Sequence, residues 1–317
     1  MNPFIPQFFD AVSEHVVAIP FGWRTAFFGR YDVFHVHWPD HLFIGRNLSL
    51  ALIKPILFLL LLLRTRILGV PLVWTVHNLK PHRSMNIAGR FCYRMFKKSV
   101  ASLVLMNASN DVLPNVPSVI IPHAHYRDWA VIPAKSNAVS AVTYLYFGTI
   151  SEYKNVETLV REFRQLSGPG YSLAIVGACE DPGLRHDISA EAQKDSRVSA
   201  YLEFMADNLL WAQIAACRVV VLPYSEMYNS GSAILALSLN KPILVPDSGA
   251  NRELSQEVGE GWVHTYTGKL TAESLNSVSD SVHTLSGVAN LSLRSWARIG
   301  VLYADTYRNV LAAELGR

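Results

Sequence analysis

The sequence predicts an α/β chain of two domains, each built on a parallel sheet. Three observations carry that prediction. Short runs rich in β-branched residues alternate with helix-length segments from end to end, which is the pattern of βαβ units. The chain has 317 residues, half of them apolar, enough for two cores of ordinary size. One stretch, "VIPAKSNAVSA" (Val131 to Ala141), lacks periodicity and separates two such series. The boundary is placed between about Ile121 and Ala141, giving domains of 1–130 and 131–317.

Taken in order, the strands expected in the first half are Val33 to His37, Leu72 to His77, Ser102 to Met106 and Ser118 to Ile121. The second half adds Val142 to Phe147, Ser172 to Val176, Arg218 to Leu222 and Ile243 to Val245. Between the first two strands lies "PILFLLLLL" (Pro55 to Leu63), bracketed by Lys54, Arg64 and Arg66. Its nine residues fall short of the roughly 20 that cross a bilayer, so it reads as a core helix buried against the sheet. Leu291 to Leu315 has helical periodicity and either packs across both domains or closes the second. There is no internal repeat and no low-complexity tract.

Three cysteines without CxxC or Cys/His spacing argue against a disulfide framework and a zinc site, and fit a reducing compartment. The amino terminus makes a poor signal peptide, so export is not expected and a cytoplasmic location is. The net charge of +3 hides an asymmetry. Residues 1–135 carry 14 basic and 6 acidic residues, a balance of +8, whereas residues 136–317 carry 14 and 19, a balance of −5. A polyanion is the expected neighbour of the basic half. In "RSMNIAGRFCYRMFKK" (Arg83 to Lys98), Arg90, Arg94, Lys97 and Lys98 are interleaved with Phe91, Tyr93, Met95 and Phe96, the make-up of a helix lying on an anionic lipid surface. The alternative is a solvated face over a core stripe. Nucleic acid is not expected, because no RRM, KH or zinc-finger pattern accompanies the patch.

The absence of GxGxxG, Walker and GxSxG motifs removes support for dinucleotide, P-loop and α/β-hydrolase chemistry. The histidine spacings fit no metal motif, and no metal is expected. The stretch "PYSEMYNSGSAILALSLNKPILVP" (Pro223 to Pro246) reads as a strand end, a turn and a helix. Asn229, Ser230 and Ser232 are good helix-capping residues and Gly231 permits close backbone approach, so the free amides of the first helical turn form either an ordinary cap or a phosphate site. Other polar clusters follow strand ends: "HVHWPD" (His35 to Asp40), "TVHNLKPH" (Thr75 to His82), "IPHAHY" (Ile121 to Tyr126) and "FGTISEYKN" (Phe147 to Asn155). Open α/β sheets hold ligands at that edge, so these loops are expected to line one cleft if the domains face each other.

The order of these pieces resembles the GT-B glycosyltransferases, in which two Rossmann-like domains face each other across a cleft. "FHVHWPD", "VWTVHNLKPH", "IPHAHY" and "NSGSAILALSLNKPILVP" look most like bacterial membrane-associated transferases of exopolysaccharide assembly, including the xanthan-type β-mannosyltransferase. The resemblance covers nearly the whole chain. It implies a nucleotide-sugar donor (a GDP- or UDP-sugar) without further cofactor, a lipid-linked or oligosaccharide acceptor, and a peripheral position at the inner face of the cell membrane. It implies that Lys154 binds the donor diphosphate together with Asn229, Ser230, Gly231 and Ser232, and it draws Gly148, Glu226 and Tyr228 into the donor set. His77 matches a histidine beside the transferred sugar. His37, Asn78, His123 and His125 fall on the acceptor side or in the cleft.

The sequence also departs from the pattern. Met227 and Leu235 stand where the familiar glutamates spaced eight apart belong, with Glu226 one residue from the first. Thr149 replaces a basic residue, and the strand and glycine loop that the resemblance leads one to expect before "NPF" are not in the sequence, so either the first strand is missing or the start is truncated. An inverting transfer needs a base near the acceptor hydroxyl. Asp40 is the first candidate and His77 the second, since both end strands of the acceptor half; the ordinary alternative for Asp40 is a cap carboxylate. A sugar-nucleotide epimerase and a non-catalytic GT-B partner subunit are the competing expectations.

Overall fold

Ten strands are found among the described residues, and every pairing between them is parallel. The computed structural model describes all residues except 1–3, 46, 79–84, 109–111, 131–141, 169, 226, 228 and 316–317. In chain order the first elements are α1 (Phe4–Ser13), α2 (Trp23–Phe28), β1 (Phe34–Val36), α3 (Asp40–Phe43), α4 (Leu48–Ile67), β2 (Leu72–Val76), α5 (Ile87–Ser99), β3 (Val100–Leu105) and β4 (Ser118–Ile120). Then follow β5 (Tyr144–Phe147), α6 (Val156–Phe163), β6 (Leu173–Val176), α7 (Pro182–Ala192), β7 (Val198–Tyr201), α8 (Asp207–Ala216), β8 (Val219–Val221), α9 (Gly231–Ser238), β9 (Ile243–Pro246), α10 (Gly249–Val258), β10 (Val263–Tyr266), α11 (Ala272–Ser281) and α12 (Trp296–Leu315).

The chain divides into one unit of Met1–Ala124 with Arg294–Arg317, and a second of His125–Leu293. The division thus falls at 124/125, inside the window from Ile121 to Ala141 read from composition and a few residues before 130/131, and of the two placements left open for the last helix it takes the one in which α12 returns to the first unit. The reason is apolar matching. Trp296, Ile299 and Tyr303 of α12 share a buried cluster with Phe4, Phe8, Ala11 and Val12 of α1 and with Val73 and Val104 of the sheet.

The first unit's sheet has the order β1-β2-β3-β4, so the crossovers proceed one way without reversal. α4 is 20 residues long and starts at Asn47, whose side chain accepts from the Leu50 amide. The expectation of a wholly buried "PILFLLLLL" is corrected here. Pro55, Phe58, Leu61, Leu62 and Thr65 form a buried face, but Leu52, Ile53, Ile56, Leu60, Leu63 and Ile67 on the opposite side are exposed. Its sequence is apolar on all sides, yet only one side has a described neighbour.

The second unit's sheet has the order β10-β9-β8-β5-β6-β7, so strand order reverses between β5 and β8. The inner strands are apolar throughout, as expected for strands buried on both faces. Tyr144, Tyr146, Phe163 and Leu173 are fully enclosed in the core around them. Two edge strands, β7 and β10, escaped the sequence reading, because partly exposed edges such as Val198–Tyr201 show no apolar run.

The contact between α1 and α12 is made backbone to backbone: a Cβ on Gly300 would lie 2.4 Å from the Ala11 carbonyl oxygen. Glycine normally weakens a helix by about 1 kcal/mol relative to alanine, so Gly300→Ala should stabilise an isolated α12. In the folded chain the overlap is with backbone, which cannot rotate away, and overpacking of this kind costs about 1–3 kcal/mol. Gly300→Ala is therefore expected to lower the urea midpoint; an unchanged or raised midpoint would show that the two helices can separate freely.

Candidate functional site: the β5 and β8 turns and the histidine set

Ligands of open α/β sheets bind outside the carboxyl ends of the strands where the strand order reverses. In the second unit that point lies between the turns that follow β5 and β8, and these two turns are laced together. Asn155, itself at φ +50°, donates from Nδ2 to the Pro223 carbonyl at 3.1 Å, and the Ser225 amide donates to the Tyr153 carbonyl at 2.8 Å. Gly148 heads the β5 turn at φ +115°, a conformation that suits glycine. A Cβ there would stand 3.2 Å from Ser232 Oγ and 3.8 Å from Lys154 Nζ, so the turn, the lysine and the start of α9 converge on one spot.

α9 begins at Gly231, with Ser230 as its cap: Ser230 Oγ accepts from the Ala233 amide at 3.2 Å. The remaining first-turn amides have no partner within the helix, and the helix dipole adds partial positive charge there. Lys154 Nζ donates to the Thr149 carbonyl at 2.7 Å and lies 5.1 Å from the Tyr224 ring centroid. Burial brings the lysine down to about 8. Tyr224 was missed in the sequence. Its ring supports the lysine and its hydroxyl bonds Ser232 and Ser230, while burial raises its pKa to about 12. The only sequence signal was an aromatic directly after a strand end. Glu226 and Tyr228 lie outside the described residues. Asn229 is described and immediately precedes the cap.

The first unit gathers a second set at the carboxyl ends of β1 and β2. His35 Nδ1 pairs with the Tyr307 hydroxyl and its Nε2 with Thr75 Oγ1, both at 2.8 Å, and Thr75 meets the Tyr303 hydroxyl at 3.1 Å. Burial holds His35 well below its ordinary pKa, so it is neutral and ties α12 to the sheet. His37 Nδ1 pairs with His77 Nε2 at 2.9 Å, and burial lowers His37 to about 3. His77 stacks on Trp38 with ring centroids 4.4 Å apart. Asn78 follows it. His123 donates from Nδ1 to the Ala124 carbonyl at 2.8 Å, which leaves Nε2 as an acceptor, and burial lowers it to about 4. Asp40 is buried at the first position of α3, next to the chain entry through Trp38 and Pro39. Its negative charge, after burial, helps raise the pKa of Tyr93. His125 belongs to the second unit, with Nδ1 3.9 Å from Asp128.

Residues 141–280 match the family "Glycosyl transferases group 1". The chain is 36% identical over 315 residues to a GDP-mannose:glycolipid 4-beta-D-mannosyltransferase of Xanthomonas campestris pv. campestris, covering 99% of this chain and 90% of that protein. The chain belongs to the group 1 glycosyltransferases. Its fold is that of solved members of the GT-B class. It superposes on AviGT4, a glycosyltransferase involved in avilamycin A biosynthesis, with a TM-score of 0.62 at 15% identity over 98% of this chain and 89% of that one. Sucrose-phosphate synthase from Thermosynechococcus elongatus gives 0.61 at 16% identity over 89% and 74%.

Within this glycosyltransferase, Met227 and Leu235 pack partly buried against the second core, so both positions turn apolar side chains inward. A cavity of about 590 Å³ lined by Arg218, Lys241 and Trp262 lies beside the residues that precede β5, β6, β8 and β9. That is the edge opposite the β5 and β8 turns, and strand topology favours the turns as a ligand site. No three His, Cys, Asp or Glu residues group as a metal site among the described residues.

The sequence-predicted basic helix is α5, described from Ile87. Cys92 and Phe96 enter the core, Lys97 Nζ sits 5.0 Å from the Tyr93 ring centroid, and Arg90, Arg94 and Lys98 are exposed.

The lowered pKa of Lys154 has a signed consequence. The folded chain releases this proton near pH 8 and the unfolded chain near the ordinary lysine value of 10.5. Between those values the unfolded state holds more protons, so the lysine's contribution to stability rises with pH across that window. Urea unfolding at several pH values, with Lys154→Met subtracted, is expected to show the rise between about pH 8 and 10.5. A difference independent of pH would mean that the ammonium is solvated as in the unfolded chain.

Proposed function

We propose that this glycosyltransferase transfers mannose from GDP-mannose, with inversion, to a lipid-linked acceptor at the cytoplasmic face of an anionic membrane. One observation carries the donor half of the reading: Lys154, Ser232 and the start of α9 converge on Gly148 at the reversal of strand order. The choice of GDP-mannose and of a glycolipid is supported by the activity named for the Xanthomonas relative at 36% identity. The lipid surface is supported by the exposed Arg90, Arg94 and Lys98 on α5.

The chemistry follows from charge. As the bond between the anomeric carbon and the β-phosphate oxygen breaks, negative charge grows on the diphosphate. Lys154 and the α9 amides, assisted by the hydroxyls of Ser230 and Ser232 and by Asn229, are set in place beforehand to receive it. On the other face of the sugar, the acceptor hydroxyl attacks and passes its proton to Asp40. An α-linked donor then gives a β-linked product. His77, fixed between His37 and Trp38, is the polar group beside the sugar. His123 supplies an imidazole acceptor on the acceptor side, with Asn78 and His37.

Two outcomes test the assignment. Lys154→Ala should weaken GDP far more than guanosine, by the ~1.5–3 kcal/mol of a hydrogen bond to a charged group; titration calorimetry with both ligands reads the difference, and equal losses would remove the lysine from the diphosphate site. Asp40→Asn should keep GDP affinity and slow transfer about 10²–10⁴-fold, the usual contribution of a general base. Near-normal turnover with reduced stability would reduce Asp40 to a helix-cap carboxylate. An α-linked product would establish retention and leave the base without a role.

A further inference from the structure

Between Asp40 and Asp111 the chain has no acidic residue at all, and it has ten lysines and arginines: Arg46, Lys54, Arg64, Arg66, Lys80, Arg83, Arg90, Arg94, Lys97 and Lys98. This stretch contains both α4 and α5. It also contains the exposed apolar stripe of α4. Ile53, Ile56, Leu60, Leu63 and Ile67 recur at spacings of three and four, with Leu52 four before Ile56, so the six lie along one side of the helix. Leu52 is 65% exposed and Ile67 72%. A contiguous apolar surface of this kind on a folded chain marks an interaction site, and a helix apolar on all sides requires apolar neighbours on all sides. The core supplies them for Phe58, Leu61 and Leu62 only.

We infer that the outer face of α4 is embedded, parallel to the surface, in an anionic lipid bilayer. The occupant follows from the combination of apolarity and charge. An apolar protein partner would account for the stripe but gives no reason for 70 residues without a carboxylate. A purely electrostatic contact would account for the cations but gives no reason for six exposed aliphatic side chains. A headgroup layer over acyl chains satisfies both at once. The neighbouring elements fit the same arrangement. Arg64 donates to the Phe27 and Gly29 carbonyls and to the Tyr31 hydroxyl, which holds the exposed Phe28 at the carboxyl end of α4. α5, joined to α4 through a hydrogen bond from the Cys92 thiol to the Pro55 carbonyl, adds exposed Ile87 and Phe91 beside Arg90 and Arg94. No helix among the described residues is long and apolar enough to cross a membrane, so α4 lies in the surface and does not span it. The inference deepens the lipid-linked acceptor reading and rests on it: an enzyme held this way meets its acceptor in two dimensions.

The native thiols Cys92, Cys179 and Cys217 are all buried, so a single introduced cysteine can carry an environment-sensitive fluorophore. Full-length protein labelled at Ile56→Cys or Leu63→Cys, with Glu203→Cys on the second unit as control, is mixed with vesicles of phosphatidylcholine with and without phosphatidylglycerol. The expected result is a blue shift and quenching by lipid-borne quenchers at 56 and 63, on phosphatidylglycerol vesicles only, and no change at 203. The double variant Ile56→Asp with Leu63→Asp should bind these vesicles at least ~10-fold more weakly while keeping GDP affinity, which also shows that it folds. Vesicle binding without a shift at 56 and 63 would overturn the inference, leaving α5 charge alone as the attachment. So would a shift in the absence of lipid that grows with protein concentration, since the face would then belong to a second copy. The acceptor reading fails separately: probes that shift normally on an enzyme unable to mannosylate a lipid-linked acceptor would leave the embedded face standing and remove the acceptor.

Discussion

All strands of the second unit run parallel, so each must be followed by a crossover, and the direction of those crossovers changes once, between β5 and β8. The turns leaving these two strands diverge there and open a space at the carboxyl edge that no other strand pair provides. The proposed donor chemistry depends on that single topological fact. Gly148 leaves one side of it, α9 begins on the other, and the hydrogen bonds from Asn155 to Pro223 and from Ser225 to Tyr153 fix the distance between them. Backbone held in this way costs no reorganisation when charge develops on a leaving diphosphate. Among its described residues the first unit shows no such reversal, because its strands run β1-β2-β3-β4 in order. It offers side chains at its carboxyl edge, not a gap for a nucleotide.

That difference explains why the polar sets at the strand ends of the two units are built from different materials. In the second unit the functional groups are largely backbone amides, hydroxyls and one lysine resting on Tyr224. In the first unit they are imidazoles packed among aromatic rings, with Phe4 within 5.0 Å of both the His77 and His123 ring centroids. Burial keeps His35, His37 and His123 neutral, so this set presents hydrogen-bond donors and acceptors without charge. The helix that completes it, α12, comes from the far end of the chain. Its Tyr303 and Tyr307 hydroxyls reach Thr75 and His35, so the carboxyl-terminal residues set the geometry of the amino-terminal strand ends.

Much of this was legible in the sequence wherever burial and periodicity coincide. The inner strands read as continuous β-branched runs because both faces are covered, and Ser230 with Gly231 announced the α9 start through capping chemistry alone. Edge strands β7 and β10 were illegible since half their surface is solvated. The return of α12 was left open, because periodicity gives a helix an apolar face and says nothing of which core receives it. α4 was misread for a related reason. Nine consecutive apolar residues specify burial, but not whether protein or lipid supplies it. Tyr224 could not have been singled out, as its role is to support a lysine 70 residues earlier in the chain.

The two positions that hold apolar residues in place of the expected acids bear on how the donor is read. Met227 and Leu235 both pack toward the second core, so their side chains serve stability and leave the proposed donor turns without those two carboxylates. A carboxylate near the diphosphate would oppose the field of Lys154 and the α9 amides, while offering the ribose an acceptor. Here the balance shifts toward the phosphate. Residues 136–317 carry a net charge of −5, a background that repels a nucleoside diphosphate at long range. Binding therefore has to be decided at short range, inside the turns, where Lys154 is partly stripped of water. A lysine already lowered to about 8 is one whose charge is poorly solvated in the free protein. Under the proposed donor reading, an arriving diphosphate relieves that penalty as well as adding its own attraction. Binding is then accompanied by proton uptake only where the free lysine has lost its proton, near and above about pH 8.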